Sequence, residues 1–412
     1  MNDWLINNVR IVEADGCIES GVLTVAAGRV SSVGLSDAVG NVNQSVTSID
    51  GGGGLLTRGL VDLHCHGIHA HVFEVSAEAL RSGLACLPQH GTTTVCPTVY
   101  RLAGPEVFPR LAELAAVLDE PLPVRVPGLH LEGPFLALAG AGAATLPGDL
   151  ALLDELLDAA GRRVVAMSVS PETPNILPII EQLVAEGIAP LITHTAATYE
   201  QTVAAIDAGA RHATHFYDVF PSPPPTDGGV RPVGAVEAIL ADPRVTVDFI
   251  ADGVHVHPGA IRLARACKPA HGVCLITDAN VGAGLPPGVY DTPWGFPVEV
   301  SPSRGARNAD PDHPCFGRLA GSALTMDRGI NHLLRWVDAP PHEVWAMGNL
   351  NPMVVLGHGP RPWVGEQADL VLWDIGDGGY RPAATWVSGR LKWTSRADLQ
   401  DLWLDETAKE VA

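Results

Sequence analysis

The sequence lacks the features that mark secreted, membrane-spanning and disulfide-stabilised proteins. Its seven cysteines are an odd number and none lies in a CxxC motif, which argues against a disulfide framework or a thiolate zinc site. It contains no unbroken apolar run of the ~18 residues that a transmembrane helix needs. Residues 1–10 lack the charged start and apolar core of a signal peptide. These absences predict a cytoplasmic protein with no membrane partner.

Positive charge is also scarce, because 26 Lys and Arg residues stand against 46 Asp and Glu residues, for a net charge of −20. A chain this acidic lacks the basic surface that nucleic-acid binding requires, and its overall charge does not attract anionic substrates. Apolar residues make up 46% of the 412 residues, which excludes a disordered or fibrous chain. The composition therefore predicts a globular protein with a large core.

From residue 60 onward, short apolar segments rich in β-branched residues alternate with Ala- and Leu-rich helical segments. Eight segments are predicted as strands, and this number favours a closed (β/α)8 barrel of the TIM type over an open doubly wound sheet. The predicted strands are Val61–His66, Thr92–Cys96, Val126–Leu131, Val164–Val169, Ile188–His194, Ala210–His215, Val245–Ile250 and Val273–Thr277. The predicted helices include Glu78–Leu87, Pro109–Leu118, Leu150–Ala160, Ile176–Glu186, Tyr199–Ala208 and Ile261–Ala266.

Both ends of the chain are rich in β-forming residues. Segments such as Ile6–Val12 near the start and Asp369–Trp373 near the end predict one small β domain built from both termini. We therefore expect residues 1–56 and 355–412 to form this domain and residues 57–354 to form the barrel. Three loops rich in Gly, Ala or Pro follow predicted strands, where the active sites of barrels are built: Gly133–Leu146, Pro221–Arg231 and Val281–Leu319.

Polar side chains at the ends of five predicted strands indicate a metal site. The first strand carries a His-x-His pair, whose rings share one face because alternate residues of a strand point the same way. Glu follows the third strand directly, the fifth and sixth strands end on His, and Asp follows the eighth directly. In a barrel these side chains converge at one mouth. The candidate metal ligands are His64, His66, Glu132, His194, His215 and Asp278.

Imidazole and carboxylate ligands together suit zinc, iron or manganese better than calcium or magnesium. Such a site lowers the pKa of bound water to roughly 7, and Asp278 could carry the released proton. His255, in IADGVHVHP after the seventh strand, is either a packing residue or a donor to a substrate carbonyl. The remaining histidines are interpreted as structural or surface residues: His69, His71, His90, His130, His212, His257, His271, His313, His332, His342 and His358.

Several motifs are similar to those of a known family. TRGLVDLHCHG and GEQADLVLWD resemble the amidohydrolase superfamily, and within it HLEGPF, ITHTAAT, ATHFYD, IADGVHVHP, LITDAN and LAGSALTM resemble the N-acetylglucosamine-6-phosphate deacetylases. The motifs occur in family order over nearly the whole chain. The resemblance implies a distorted (β/α)8 barrel with a small β-sandwich domain formed by both termini. It also implies hydrolysis of the acetamido group of an amino sugar, with N-acetylglucosamine 6-phosphate as the default substrate.

The resemblance implies how the metal is held. Glu132, His194 and His215 would bind one divalent ion. Some family members lack the His-x-His pair, but His64 and His66 are present here, which implies a second ion that shares Glu132. One or two divalent ions are therefore expected, zinc first, with iron, manganese or cobalt as alternatives.

The resemblance also implies the catalytic roles. Asp278 would activate the water and then protonate the leaving amine, while His255 would bind the substrate near its carbonyl. A non-catalytic homologue is disfavoured, because neither the metal ligands nor Asp278 is lost. Hydantoinase-like members usually use a Lys as metal bridge, and Glu132 in this chain argues against that class.

Two positions depart from the family pattern at the sugar phosphate. The family has HLYNAM, where the Asn and the next residue bind the phosphate, but this chain has Asp218 and Val219. A carboxylate 4 Å from a phosphate charge costs about 1 kcal/mol in water and about 4 kcal/mol at an effective dielectric of 20. Ala144 replaces a His or Gln that contacts the ligand. Arg231 is either a loop residue or the Arg that reaches the phosphate of a neighbouring subunit, which would imply a homodimer. The alternative hypothesis is a related enzyme for a non-phosphorylated N-acyl compound, in which Asp218 binds a hydroxyl or an amine.

Overall fold

The computed structural model describes residues 3–35, 46–140, 142–359 and 362–400. Its first segment is β-rich, as predicted. The strands there are β1 (Trp4–Val12), β2 (Cys17–Ala26), β3 (Arg29–Leu35), β4 (Thr47–Asp50) and β5 (Leu55–Arg58). Residues 36–45 and 401–412, which the sequence assigns to the small domain, lie outside the described residues.

Eight parallel strands follow one another in sequence order around a second sheet. This order confirms the predicted barrel topology. In chain order the strands are β6 (Leu60–Cys65), then, after a hairpin of β7 (Gly67–Ile68) and β8 (His71–Val72), β9 (Thr92–Val99), β10 (Leu129–Glu132), β11 (Val164–Val169), β12 (Ala189–Ile192), β13 (His212–Ala213), β14 (Thr246–Ile250) and β15 (Val273–Ile276).

The barrel closes between its last strand and its first. The backbone N–H of Asp278 donates to the carbonyl of His64 at 2.8 Å, and the N–H of His66 donates to the carbonyl of Ala279 at 2.9 Å. Cys65 and Ala279 form a parallel bridge at the same place. The open doubly wound alternative is therefore wrong. Closure also brings three candidate ligands from the two ends of the barrel sequence side by side.

Helices surround the barrel strands. They are α1 (Ala77–Cys86), α2 (Val107–Val117), α3 (Leu150–Ala159), α4 (Ile176–Ala185), α5 (Tyr199–Ala208), α6 (Ala235–Ala241), α7 (Pro258–Cys267), α8 (Met326–Trp336), α9 (Pro341–Gly348) and α10 (Leu350–Val355). The helix α5 has the bounds predicted from the sequence, and its start is fixed by a reciprocal capping box between Thr198 and Gln201. None of the helices built by the described residues is both long and apolar enough to cross a membrane.

The stretch Val281–Leu319 contains regular structure that its glycines and prolines conceal. It forms an antiparallel sheet of β16 (Gly288–Tyr290), β17 (Val298–Ser301) and β18 (Gly305–Asn308), with Val298, Val300 and Ala306 as a small core of its own. Gly282 lies under this sheet with a positive φ of 95°, and an added Cβ would stand 2.2 Å from Val300. A side chain at residue 282 would therefore displace the small sheet.

The C-terminal strands are β19 (Leu370–Gly376), β20 (Gly379–Val387) and β21 (Arg390–Thr394). They join the N-terminal strands in one eight-stranded sheet of order β21-β20-β19-β5-β1-β2-β3, with β4 beside β1. The rings of Trp4 and Trp386 stack at 5.2 Å although two strands lie between β1 and β20, so the sheet folds over on itself in two layers. This confirms a small β-sandwich built from both ends. Because β5 crosses residue 56, the domain boundaries stay predictions.

Candidate metal centre

The six predicted ligands come together at the carboxyl ends of the barrel strands. His64 lies in β6 and Glu132 ends β10, while the others follow their strands by one or two residues. Ligand atoms of His64, Glu132 and His215 lie within 4.8 Å of one another, and so do those of His64, His66 and Asp278. Two overlapping groups of three potential ligands therefore share one buried space.

Glu132 lies between two pairs of imidazole rings. Its Oε1 is 3.2 Å from Nε2 of both His194 and His215. Its Oε2 is 3.3 Å from Nε2 of His66 and 3.7 Å from Nε2 of His64. Each oxygen of this carboxylate therefore faces a different pair of candidate ligands.

Asp278 approaches only one of these pairs. Its Oδ1 is 3.2 Å from Nε2 of His66 and 3.7 Å from Nε2 of His64. Its side chain is 14% exposed, whereas that of His64 is fully buried. Asp278 therefore touches the cluster of candidate ligands while part of its side chain stays exposed.

Backbone carbonyls set the orientation of two rings. Nδ1 of His66 donates to the carbonyl of Thr98 at 3.2 Å, and Nδ1 of His194 donates to the carbonyl of Leu138 at 3.1 Å. With a proton on Nδ1, Nε2 of each ring faces an oxygen of Glu132 with a lone pair when the ring is neutral, and with an N–H only when the ring is charged. Lone pairs that face carboxylate oxygens repel, so each of these contacts needs either a proton or a metal ion between the nitrogen and the oxygen. These residues therefore fit a divalent metal ion.

The pKa shifts of the buried carboxylates and imidazoles also show that positive charge is favoured at this site. Burial alone would raise the pKa of Glu132, but the neighbouring imidazoles, His64 first, hold it well below its ordinary value. Burial would lower the pKa of His215, yet Glu132 raises it to about 9. Despite its burial, Asp278 has its pKa lowered to about 2 by the hydrogen bond from His66 and the charge of His64. A divalent ion at this place would supply the positive charge that protonated imidazoles supply in its absence.

Three of the candidate ligands lie on strained backbone. His194, His215 and Asp278 have positive φ angles of 48°, 34° and 46°, a region that non-glycine residues rarely occupy. Hydrogen bonds stabilise this backbone conformation. At His194, for example, the carbonyl accepts from the backbone N–H of Leu138 at 3.0 Å. The same turn explains why β13 ends at Ala213 rather than at the predicted residue 215.

His255 is fixed by a carboxylate that sequence analysis did not identify. Its Nδ1 donates to Oδ2 of Asp252 at 2.7 Å, and its backbone N–H donates to Oδ1 at 2.9 Å. Burial alone would lower the pKa of His255, but the hydrogen bond and charge of Asp252 raise it, with smaller contributions from Asp278 and Asp218. His255 therefore lies within electrostatic reach of the site. The D-x-x-H spacing was the feature that could have revealed Asp252.

Replacing Asp252 by Asn should lower the pKa of His255, because the opposite charge that raises it is removed. If protonated His255 serves the substrate, the alkaline limb of the kcat/KM profile should move to lower pH by about 1 to 3 units. The measurement is kcat/KM against pH for both proteins. An alkaline limb at unchanged pH would show that the Asp252–His255 pair does not set it.

Asp218 and Val219 lie on the turn after β13. The backbone N–H of Asp218 donates to the carbonyl of His215 at 2.9 Å, and its side chain is half-buried. The carboxylate contributes to the raised pKa of both His215 and His255. The structure therefore places a negative charge beside the site, and Val219 follows with a positive φ of 55°.

Arg231 is not brought to the site of its own chain. Its side chain is 83% exposed and pairs with Oε1 of Glu237 at 2.8 Å, at the end of the exposed Pro221–Arg231 loop. Ala144 is half-buried in the loop after β10 and offers no polar side-chain atom.

A buried carboxylate that was not predicted from the sequence supports the backbone of the site. Asp248, in β14, accepts from the backbone N–H of His215 at 2.5 Å and lies 2.8 Å from Nε2 of His212. An Asp inside the apolar strand TVDFI was the available indication. His130, interpreted as structural, lies against His64 with ring centroids 4.6 Å apart and contacts Ser168 Oγ at 2.9 Å.

Comparison with known proteins identifies the family. The amidohydrolase family matches residues 55–403, which is most of the chain. The chain belongs to the amidohydrolase family. This amidohydrolase is therefore an enzyme whose family implies a divalent metal, and it acts on a small molecule.

Two curated relatives and one solved structure show the likeness over nearly the full length. This amidohydrolase is 30% identical to the N-acetylglucosamine-6-phosphate deacetylase of Lysinibacillus sphaericus, over 84% of this chain and 87% of the relative. It is 29% identical to the N-acetylgalactosamine-6-phosphate deacetylase of Escherichia coli O157:H7, over 93% of this chain and 97% of the relative. One solved structure is that of a Mycobacterium smegmatis N-acetyl-D-glucosamine-6-phosphate deacetylase variant in complex with N-acetyl-D-glucosamine-6-phosphate. It superposes with a TM-score of 0.82 at 29% identity and covers 96% of this chain and 100% of its own.

Proposed function

We propose that this amidohydrolase removes the acetyl group from an N-acetylated amino sugar, with N-acetylglucosamine 6-phosphate as the default substrate. The observation that carries the proposal is Glu132 between two imidazole pairs with Asp278 beside one of them. The choice of an acetamido sugar is supported by the relatives, which act as deacetylases of N-acetylated sugar phosphates.

We propose that Glu132, His194 and His215 hold one divalent ion and that His64 and His66 hold a second that shares Glu132. Zinc is the first choice because imidazole and carboxylate donors suit it, and iron, manganese and cobalt are the alternatives. A divalent ion held here supplies Lewis-acid polarisation of a carbonyl and lowers the pKa of water to roughly 7.

The remaining residues move protons and orient the substrate. Asp278, also a candidate ligand, accepts a proton from the attacking water and passes it to the leaving nitrogen. One water is consumed, the amide C–N bond breaks, and acetate and an amino sugar are released. His255 donates from Nε2 to the substrate carbonyl, and Asp252 holds its ring by the 2.7 Å hydrogen bond to Nδ1. Because this bond keeps one proton on Nδ1, Nε2 carries a proton for the substrate only when the ring is charged.

The substrate phosphate would meet an unusual environment. Asp218 and Val219 occupy the positions proposed to face it, and Asp218 adds a negative charge. Arg231 supports phosphate binding only if it reaches the site of a second subunit, for which its 83% exposure leaves it accessible. The second candidate function, hydrolysis of a non-phosphorylated N-acyl compound, is favoured by the half-buried carboxylate of Asp218 together with the apolar Ala144.

Replacing Asp218 by Asn should raise kcat/KM for a phosphorylated sugar at least ~5-fold, because removal of about 1 kcal/mol of repulsion corresponds to that factor. The same variant should leave kcat/KM for the unphosphorylated sugar nearly unchanged. Steady-state kinetics with both sugars measures the two effects. Equal values for wild type and variant on the phosphorylated sugar would place Asp218 away from the phosphate.

We further propose a homodimer and a cytoplasmic location. The dimer rests on the role of Arg231 in a neighbouring site, and the location is supported by the seven cysteines, all of which are free thiols. The division into a small domain of residues 1–56 and 355–412 and a barrel of residues 57–354 belongs to the same proposal.

The function is tested by product analysis with zinc-reconstituted protein. N-Acetylglucosamine 6-phosphate should yield acetate and free amine in equal amounts, and chelator-treated protein should yield neither. The absence of acetate from protein that contains zinc would exclude this substrate.

A further inference from the structure

A second group of imidazole rings lies outside the proposed active site. His69, on the turn between β7 and β8, and His90, at the end of the short helix before β9, face each other with ring centroids 6.1 Å apart and planes at 83°. Both residues are partly exposed, so the pair lies close to the surface of the protein.

His90 has one partnered and one unpartnered nitrogen. Its Nδ1 lies 3.2 Å from Oδ1 of Asp327, and since a carboxylate only accepts, this nitrogen carries the proton. Its Nε2 is buried and has no hydrogen-bond partner among the described residues. His90 therefore presents a lone pair that is oriented by a carboxylate, which is the arrangement found behind many metal-ligating histidines.

His69 offers a second nitrogen to the same space. A methyl group on the α-carbon of Gly284 would stand 2.9 Å from His69 Nε2 and 2.9 Å from His90 Nε2. The two nitrogens therefore face one small space, which is open because residue 284 is glycine. Burial and the neighbouring rings of His90 and His71 lower the pKa of His69, which keeps its ring neutral and able to ligate.

Gln89 supplies a third group. In the structure its side-chain N–H donates to His69 Nε2 at 2.9 Å, so this nitrogen carries a lone pair, and a half-turn of the amide would bring the amide oxygen to the same position. Two ligands at about 2.1 Å from an ion stand about 3.0 to 3.4 Å apart, so this spacing is close to that of neighbouring ligands. The net charge of −20 favours a cation over an anion in this space.

We propose that His69 and His90, with the amide oxygen of Gln89, form a peripheral binding site for a transition-metal ion of the zinc class, with Asp327 orienting His90. Sequence analysis interpreted both histidines as structural or surface residues. The remaining coordination positions would be filled by water.

The site would connect the segments that follow the first and eighth barrel strands. The N–H of His69 donates to the carbonyl of Ala283 at 2.9 Å, and the N–H of Gly282 donates to the carbonyl of His69 at 2.7 Å. These segments follow His66 and Asp278 directly. An ion between His69 and His90 would therefore stabilise the backbone that leads away from the active site, without belonging to it.

The test is the number of zinc ions bound per chain, measured by equilibrium titration of full-length protein against a chromophoric zinc chelator. The double variant His69→Asn/His90→Asn should bind one zinc fewer than wild type. Because the count is a difference, the result does not depend on how many ions the active site holds or on whether the proposed substrate is correct.

Two single variants complete the experiment. Asp327→Asn should weaken the extra zinc by about 10- to 100-fold, the usual effect of losing the group that orients a ligand, and it keeps the test valid if the double variant does not fold. His71→Asn, a change on the same turn, should keep the full count and affinity. Equal zinc numbers and affinities for wild type, the double variant and Asp327→Asn would overturn the proposal.

Discussion

Replacing Asp278 by Asn should reduce kcat by at least ~100-fold while the protein keeps its metal. The amide has nearly the shape of the carboxylate but cannot carry a proton between water and the leaving nitrogen, and general acid–base catalysis contributes about this factor or more. Glu132, His194 and His215 remain in place, so one complete set of ligands is untouched. The measurements are kcat with N-acetylglucosamine 6-phosphate and metal content per chain.

The matched control for Asp278→Asn is Asp291→Asn, because Asp291 is exposed and directly follows β16, outside the candidate ligands. Control activity should equal that of wild type. Normal turnover by Asp278→Asn would remove Asp278 from the proton transfer.

Replacing His194 by Ala should remove metal and activity together. His194 Nε2 is one of two nitrogens 3.2 Å from Glu132 Oε1, and its orientation is fixed by the carbonyl of Leu138. Alanine leaves this ion with only two of its three proposed protein ligands, and binding should weaken by orders of magnitude. Metal content after dialysis and acetate release are the measurements.

The exposed His271 provides the control for this variant, since His271→Ala removes an imidazole far from the ligand cluster. It should retain metal and activity. Full metal occupancy in folded His194→Ala protein would contradict its assignment as a ligand.

The convergence of the six candidate ligands could be predicted from the sequence because strand periodicity and barrel geometry act together. Alternation in VDLHCHG places both imidazoles on one face, and parallel strands deliver their carboxyl ends to one mouth. The supporting contacts could not be predicted in this way. The carbonyls of Thr98 and Leu138 orient His66 and His194, yet every residue has a carbonyl and no sequence pattern marks these two.

Two features of the fold show other limits of sequence analysis. The sheet of β16–β18 consists of strands of three or four residues between glycine- and proline-rich turns, too short for a periodic pattern. The predicted strand Ala210–His215 shortens to His212–Ala213, because the chain turns into the left-handed region at His215 to present its ring. In both cases tertiary contacts override the local pattern.

The most direct test of the account is free-amine release by metal-replete protein offered N-acetylglucosamine 6-phosphate and N-acetylglucosamine side by side. We expect both to be hydrolysed, with a preference of at least ~100-fold in kcat/KM for the phosphorylated sugar. That ratio corresponds to about 2.7 kcal/mol of transition-state stabilisation from the phosphate. Release of amine from neither sugar, by protein shown to contain its metal, would contradict the assignment as an amino-sugar deacetylase.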